Sequence, residues 1–442
     1  MSAPANSTTP AAAPARGGIL HSFRALRKRD FAIFWTGAFI TNAGAWFQSL
    51  GVPYVLLMLT DSALWVGLAA AAQFVPVMLL GPLGGQIASA GRLKRTLIIT
   101  QGLRSLAALA LFACWATGVR EPLVFLLLAA AAGCAQGISM PSWQAFVHNL
   151  SDRQDLASAV TLNTLQFNLS RSFGPAIGGL VLLAWGPSMA FLLAFVAVLC
   201  VVVALALVRQ SGGAAAARAG AAGRPGVTRG FMEAARYSWG QPGILLALVL
   251  VVCVGVLGMP VFQHVIIFAE MVFGSGETGL TLLNLGLGLG TLLAAPVVAG
   301  FEHKLGRARL ARWAVPLYGL AFMGFAVAPG TISAALALLV VGGAFLAAIS
   351  VGNTSVQMLV EDGFRGRVLA LNVMVYTGSV ALGAYLQGWL SDLIGPRLTP
   401  LLAGGVLLVA GIVLACWRGK YSLSALEDRR PANVPDAAPE NA

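Results

Sequence analysis

The chain has 442 residues, of which 58% are hydrophobic and only 10% charged, and its formal net charge is +12. A water-soluble chain covers its surface with roughly 25% charged residues, so a soluble globular protein is excluded and most of this surface must face lipid. The positive charge does not mark a nucleic-acid partner, because the basic residues lie singly or in short clusters between long apolar runs.

Residues 1–30 form an Ala/Pro/Ser-rich tail with no apolar core of a signal peptide, ending in the basic stretch Arg24 to Arg29. They read as a disordered cytoplasmic tail. Spans of about 20 apolar residues cross a bilayer. They are predicted at 31–59, 62–88, 96–118, 121–147, 156–184 and 187–208, then at 243–268, 278–300, 313–330, 332–358, 368–391 and 398–417. Polar or Gly/Pro punctuation separates them, as at Thr60-Asp61-Ser62, Gly118 to Pro122, Gly186-Pro187, Gly274 to Gly276, Pro329-Gly330 and Gly395-Pro396. An Ala/Gly/Arg-rich stretch at 209–242 reads as a cytoplasmic linker with little to pack. It divides the chain into an N-terminal bundle, 31–208, and a C-terminal bundle, 243–417, followed by a tail, 418–442.

Orientation follows from the basic residues. With both termini inside, all of the 28 Lys and Arg except Arg104, Arg120, Arg171 and Arg397 fall in cytoplasmic segments. The five cysteines lie inside apolar runs without CxxC spacing and read as small buried hydrophobes. The four histidines lack metal-ligand spacing, and no P-loop or GxSxG is present, so neither a metal, a cofactor nor an enzyme activity is expected. An integral-membrane lipid enzyme would need a cluster of His, Asp or Ser at one depth, which the sequence lacks.

The two halves echo each other. A Gly/Pro-rich span runs into a basic loop twice, in GPLGGQIASAGRLKR and in PVVAGFEHKLGRAR. A charged loop leads to an Asn-bearing span twice, at Asp152–Asn163 and Glu361–Asn372. Such repetition is a mark of alternating-access carriers, whose substrate site lies between the halves near the midplane.

A transport path needs polar side chains on one face of apolar helices. In the fifth span Thr161, Thr164, Asn168, Arg171, Pro175 and Gly178 share a face, and Arg171 lies about 22 Å along from Leu156. A mid-membrane arginine costs roughly 2.5–3.5 kcal/mol on insertion scales, so it faces a cavity or a partner. Contact with an anion, a conformational switch and an interhelical brace all stay open. Asn42 and Trp46 form a row on the first span with Gln48 beside it. Asn372 and Tyr376 form another on the eleventh. Gln357 on the tenth and Gln263 on the seventh complete the candidate cavity. Each of these is either cavity lining or interhelical glue. His264, the one histidine within a predicted span, is a candidate proton-linked group, against which stands an ordinary hydrogen-bonded role. Gly174, Pro175, Gly178 and Gly179 form a GPxxGG run that allows close backbone approach and a kink, and read as a conformational element. No Asp or Glu lies in mid-membrane: Asp61, Glu121, Glu270, Glu277 and Asp392 are near outer ends.

Four stretches are familiar: FRALRKRDFAIFWTGAFITNAGAWFQ at 23–48 with LTDSALWVGL at 59–68, QFVPVMLLGPLGG at 73–85, DLASAVTLNTLQFNLSRSFGPAIGG at 155–179, and FRGRVLALN at 364–372. On these the chain resembles the major facilitator superfamily, in the branch holding the enterobactin exporter and macrolide efflux pumps. The resemblance implies an all-α fold with about 12 transmembrane helices in two pseudo-symmetric six-helix bundles. It also implies proton coupling, with GPxxGG as an antiporter-type motif and Arg92, Lys94, Arg95, Arg365 and Arg367 as conformational residues. The chain departs from the family in one loop. Gly84 to Arg95 contains no acid, where the family places an Asp before the basic cluster; in the second copy His303, beside Glu302, takes that place.

The combined expectation is a monomeric multi-pass secondary transporter of a bacterial inner membrane, exporting a neutral or anionic small organic compound by alternating access. Its partners are the lipid bilayer, the small-molecule substrate and protons. An uptake carrier or facilitator for a small organic anion is the alternative.

Overall fold

The computed structural model describes residues 24–151, 155–209, 227–361, 363–417, 419 and 422–427. Among them the chain is helical, without strands. The N-terminal half comprises α1 (Arg29–Thr60), α2 (Ala63–Ser89), α3 (Leu93–Ala116), α4 (Pro122–Asn149) and α5 (Leu156–Leu207). Helix α5 is two spans joined at Gly186, whose φ of 71° is a left-handed conformation that glycine alone adopts freely. The chain reverses there, with Pro187 starting the second arm.

A short helix, α6 (Val227–Gly240), precedes the C-terminal half. That half comprises α7 (Pro242–Val272), α8 (Gly276–Leu305), α9 (Arg307–Ala326), α10 (Thr331–Leu359), α11 (Arg365–Ile394) and α12 (Leu398–Cys416). Among the described residues, ten segments are long and apolar enough to cross a membrane by composition. One of these, Phe173–Leu207, runs from the first arm of α5 through the second, and α9 falls short of that measure because of the arginines in its first turns, yet it packs against α10 and α12.

Three differences from the sequence expectations have physical causes. Helix α6 occupies part of the stretch read as linker, because Tyr237 and Glu233 find partners on α11 that the local composition does not reveal. Helix α9 starts at Arg307 rather than 313, since long basic side chains can extend a helix past the apolar zone by reaching toward water. Of the five cysteines, Cys416 is exposed and the other four are half-buried, so none is a fully buried hydrophobe.

The halves meet along two seams of the same kind, α2 against α11 and the first arm of α5 against α8. Along each, the second span of one half packs on the fifth of the other. Along α2 and α11 the contact runs from the end remote from the basic loops to about midway. Gly388 abuts the start of α2, where a Cβ would lie 2.6 Å from the Ala63 carbonyl oxygen, and one at Gly67 would collide with the Ala384 backbone. Midway, a Cβ at Gly378 would lie 2.6 Å from Met78 Sδ. One and two turns further toward the basic loops, Gly81 and Gly85 on the same row of α2 have open space around them. The apolar cores agree. The C-half core continues into Leu50, Tyr54, Leu57, Ala63, Val66, Val181 and Leu182 of the N half, all away from the basic loops. The core at the basic end of the N half contains N-half residues alone. The molecule is therefore shut at the end remote from the basic loops and parted at the basic end.

Candidate functional site

The gap between the halves narrows to a floor where α1 meets α7. Glycines on α5 build that floor: a Cβ at Gly174 would collide with the Trp46 indole, and one at Gly178 would stand 2.9 Å from Leu50 Cδ1. Trp46 can thus lie flat against α5 and reach across to Phe262 on α7, with ring centroids 5.4 Å apart, and Phe262 meets Phe345 at 6.2 Å. Aromatic pairs at these separations are favourable beyond their buried area. Gly179 completes the contact by admitting α8, since a Cβ there would come within 3.0 Å of Thr281 Cα. Pro175 is buried.

Between α1, α2, α4 and α7 lies a small cleft lined by Gln48, Ser49, Gln73 and Gln263 over Val52, Pro53, Ala69, Ala70 and Ala129. The Gln73 amide donates to Ser49 Oγ at 3.3 Å. Gln263 Oε1 and Asn42 Nδ2 are buried with no hydrogen-bond partner among the described residues. A buried polar atom left in that state costs about 1–3 kcal/mol. The structure therefore brings Gln48 and Gln263 to one cleft and sets Trp46 against Phe262, a juxtaposition of α1 with α7 that sequence spacing does not show.

The other candidate residues are dispersed. Asn372 Nδ2 donates to Asn353 Oδ1 at 2.9 Å, tying α11 to α10, and Tyr376 is half-buried against the C-half core. Gln357 is exposed toward the basic end of α10. Thr164 is exposed on α5 and returns its hydroxyl to the Val160 carbonyl at 2.9 Å. Asn168 and Arg171 lie on the same row of α5, between exposed Thr164 and the packed Gly174; their side chains lie outside the described residues, as do those of Glu302 and His303.

His264 is buried. Its Nε2 sits 2.9 Å from Gln387 Oε1 on α11. Gln387 Nε2 donates to the Val256 and Leu257 carbonyls at 2.7 and 3.1 Å, and this orientation makes His264 Nε2 the donor. Those carbonyls belong to a π-helical turn of α7, Val254–Gly258, whose wider winding exposes them to a neighbouring helix. Gln387→Leu should strip three buried groups of their partner, at about 1–3 kcal/mol each. The expected result is a clear drop in the thermal midpoint of purified protein; an unchanged midpoint would refute the bracing role of Gln387.

At the basic end, Arg92 and Arg95 are exposed, whereas Lys94 Nζ donates to the Val208 and Ala206 carbonyls at 2.7 and 3.4 Å. In this loop without an acid, the lysine serves the carboxyl end of α5, where cations are favoured. Arg24 and Lys28 both contact Asp155, at 3.1 and 3.6 Å, clamping the start of α1 to α5. Arg367 pairs with Glu233 of α6 at 2.7 Å, one turn from the stack of Tyr237 on Phe364 at 4.3 Å, and Arg365 stands in the same first turn of α11. Among the described residues no group of His, Cys, Asp or Glu is placed to hold a metal ion.

Sequence reasoning passed over the remote-end acids as partners. Glu277 accepts from the Tyr54 hydroxyl at 3.3 Å, and Asp392 accepts from the start of α2. Both contacts join residues more than 200 positions apart, beyond any local pattern.

Comparison with known proteins agrees with this architecture. The transmembrane secretion effector family matches residues 20–436. The staphyloferrin A transporter of Staphylococcus aureus (strain NCTC 8325 / PS 47) is 28% identical over 160 residues, which are 36% of this chain and 40% of that protein. The multidrug efflux pump Tap of Mycolicibacterium fortuitum is 24% identical over 387 residues, 85% of this chain and 92% of the pump. Among solved structures, the nucleoside transporter NupG superposes with a TM-score of 0.67 at 15% identity, covering 88% of this chain and all of that one, a likeness of fold. With two six-helix bundles parted around a polar and aromatic floor, and with the family matched over nearly its whole length, the chain belongs to the transmembrane secretion effectors of the major facilitator superfamily.

Proposed function

We propose that this protein exports a small organic compound from the cytoplasm across a bacterial inner membrane by alternating access, as a monomer with both termini inside. The observation that supports this reading best is the gap between the halves, which opens among the basic loops and ends on Trp46, Gln48 and Gln263. Basic loops favour the cytoplasmic side, so the cavity faces the compartment from which an exporter loads. The floor offers two amides, an indole and no described carboxylate. That chemistry suits a neutral or anionic amphipathic molecule, with Arg171 on the adjoining row of α5 as the contact for an accepting group. Siderophore-like compounds and amphipathic drugs are the classes the two relatives' names bring forward. Protons are the proposed coupling ion, with His264 as a candidate carrier.

The test uses everted membrane vesicles, a radiolabelled siderophore and a fluorescent amphipathic dye, with and without a proton gradient. Uptake of either cargo into the vesicles is expected, with the initial rate falling several-fold when the gradient is collapsed. Accumulation in right-side-out vesicles instead would make the protein an importer. Gradient dependence that survives in His264→Phe would remove that residue from the proton path.

A further inference from the structure

The first backbone N–H groups of a helix have no partners within it. At α2 the N-cap residue, Ser62, makes no capping bond with its own side chain. The acceptors come from the other half of the molecule. Asp392, in the last turn of α11, takes the Ala63 N–H on Oδ1 at 2.7 Å and the Leu64 N–H on Oδ2 at 3.1 Å, together with the Ser62 hydroxyl on Oδ2 at 2.5 Å. A carboxylate at a helix N-terminus is favoured both by hydrogen bonding and by the helix dipole. This one caps a helix 330 residues away in sequence.

The cap exists only while the remote seam is shut. Gly388, one turn below Asp392, lies against Ala63 and Leu64, so any parting of α2 from α11 pulls the carboxylate off all three donors. A second contact between the halves lies at the same end, where the Tyr54 hydroxyl of α1 donates to Glu277 in the first turn of α8. In both places the N half offers neutral donors and the C half a carboxylate.

We propose that Asp392 is the latch of the shut end, a positioning residue that sets the balance between closed and open seams by capping α2 in trans. The proposal rests on the alternating-access reading, but its test requires neither substrate nor gradient. Loss of a good N-cap typically shifts an equilibrium by about tenfold.

In protein with the five native cysteines replaced by alanine, a reporter cysteine at Thr281, buried in the α5–α8 seam, reads the shut end. A second at Thr164, exposed on α5, reads the parted end. Labelling rates with a polar maleimide are measured on purified protein. Asp392→Asn and Asp392→Ala should raise the Thr281→Cys rate about tenfold and lower the Thr164→Cys rate. Ser62→Ala, which removes one donor of three, should move both rates the same way by less, and it decides the matter if the Asp392 variants cannot be purified. Unchanged labelling at Thr281→Cys would overturn the latch. So would both reporters speeding up together, since that is general loosening and not a shift between two states.

Discussion

Gly67→Leu should reduce transport to background while leaving the protein in the membrane at close to the normal level. Gly67 faces α11, and even a single Cβ there would collide with the Ala384 carbonyl. A flexible side chain could move aside, but this obstacle is helix backbone, and displacing it would separate α2 from α11 along the seam. The N half keeps two cores of its own and the C half keeps the Val298, Ala314 and Ala347 cluster and most of its main core away from this seam, so folding should survive. What is lost is the shut state on which the cycle depends, and a packed seam switches between arrangements rather than deforming gradually. Transport is measured in vesicles, and seam opening by maleimide labelling of the Thr281→Cys reporter, which should become fast. Wild-type transport in Gly67→Leu would show that the cycle does not require this close approach. Gly81→Leu is the matched control, because nothing lies within reach of a Cβ there, and it should retain most activity.

The second large effect is expected at Arg171. Arginine at this depth is costly on insertion scales, roughly 2.5–3.5 kcal/mol, and its row on α5 leads from exposed Thr164 to Gly174 beside the Trp46 floor. If it meets an accepting group of the cargo, Arg171→Lys keeps the charge and loses the planar two-pronged fork, weakening affinity several-fold. Arg171→Gln should weaken affinity by about tenfold or more, in line with a charged hydrogen bond of about 1.5–3 kcal/mol. Insertion of that variant should be no worse, since a buried charge has been removed. Affinity and monodisperse yield are measured on the same preparations. Normal affinity with reduced yield would assign Arg171 to bracing helices and remove it from the cargo site.

Much of this protein is determined by the sequence alone. The apolar runs and their Gly/Pro interruptions specify the spans, because a bilayer demands long helices with internally satisfied backbones. The lopsided basic residues bear on orientation, and the small residues at Gly174, Gly178 and Gly179 mark where helices must approach closely. Helical periodicity also brings out the polar row of α5. What it cannot supply is the partner of each residue. Trp46 reads equally as lining or packing until Gly174 and Phe262 close around it. His264 reads as a lone histidine until Gln387, held by two carbonyls of a π-helical turn, is placed against it. Helix α6 is hidden in an Ala/Gly/Arg-rich stretch because its fixing contacts lie on α11. Asp392 looks like an ordinary acid near a helix end, and only the docking of one half on the other makes it the cap of α2. The spans follow from local hydropathy, which adjacent residues determine; the site and its latch depend on which halves touch and at which end, and that is decided by packing between residues hundreds of positions apart.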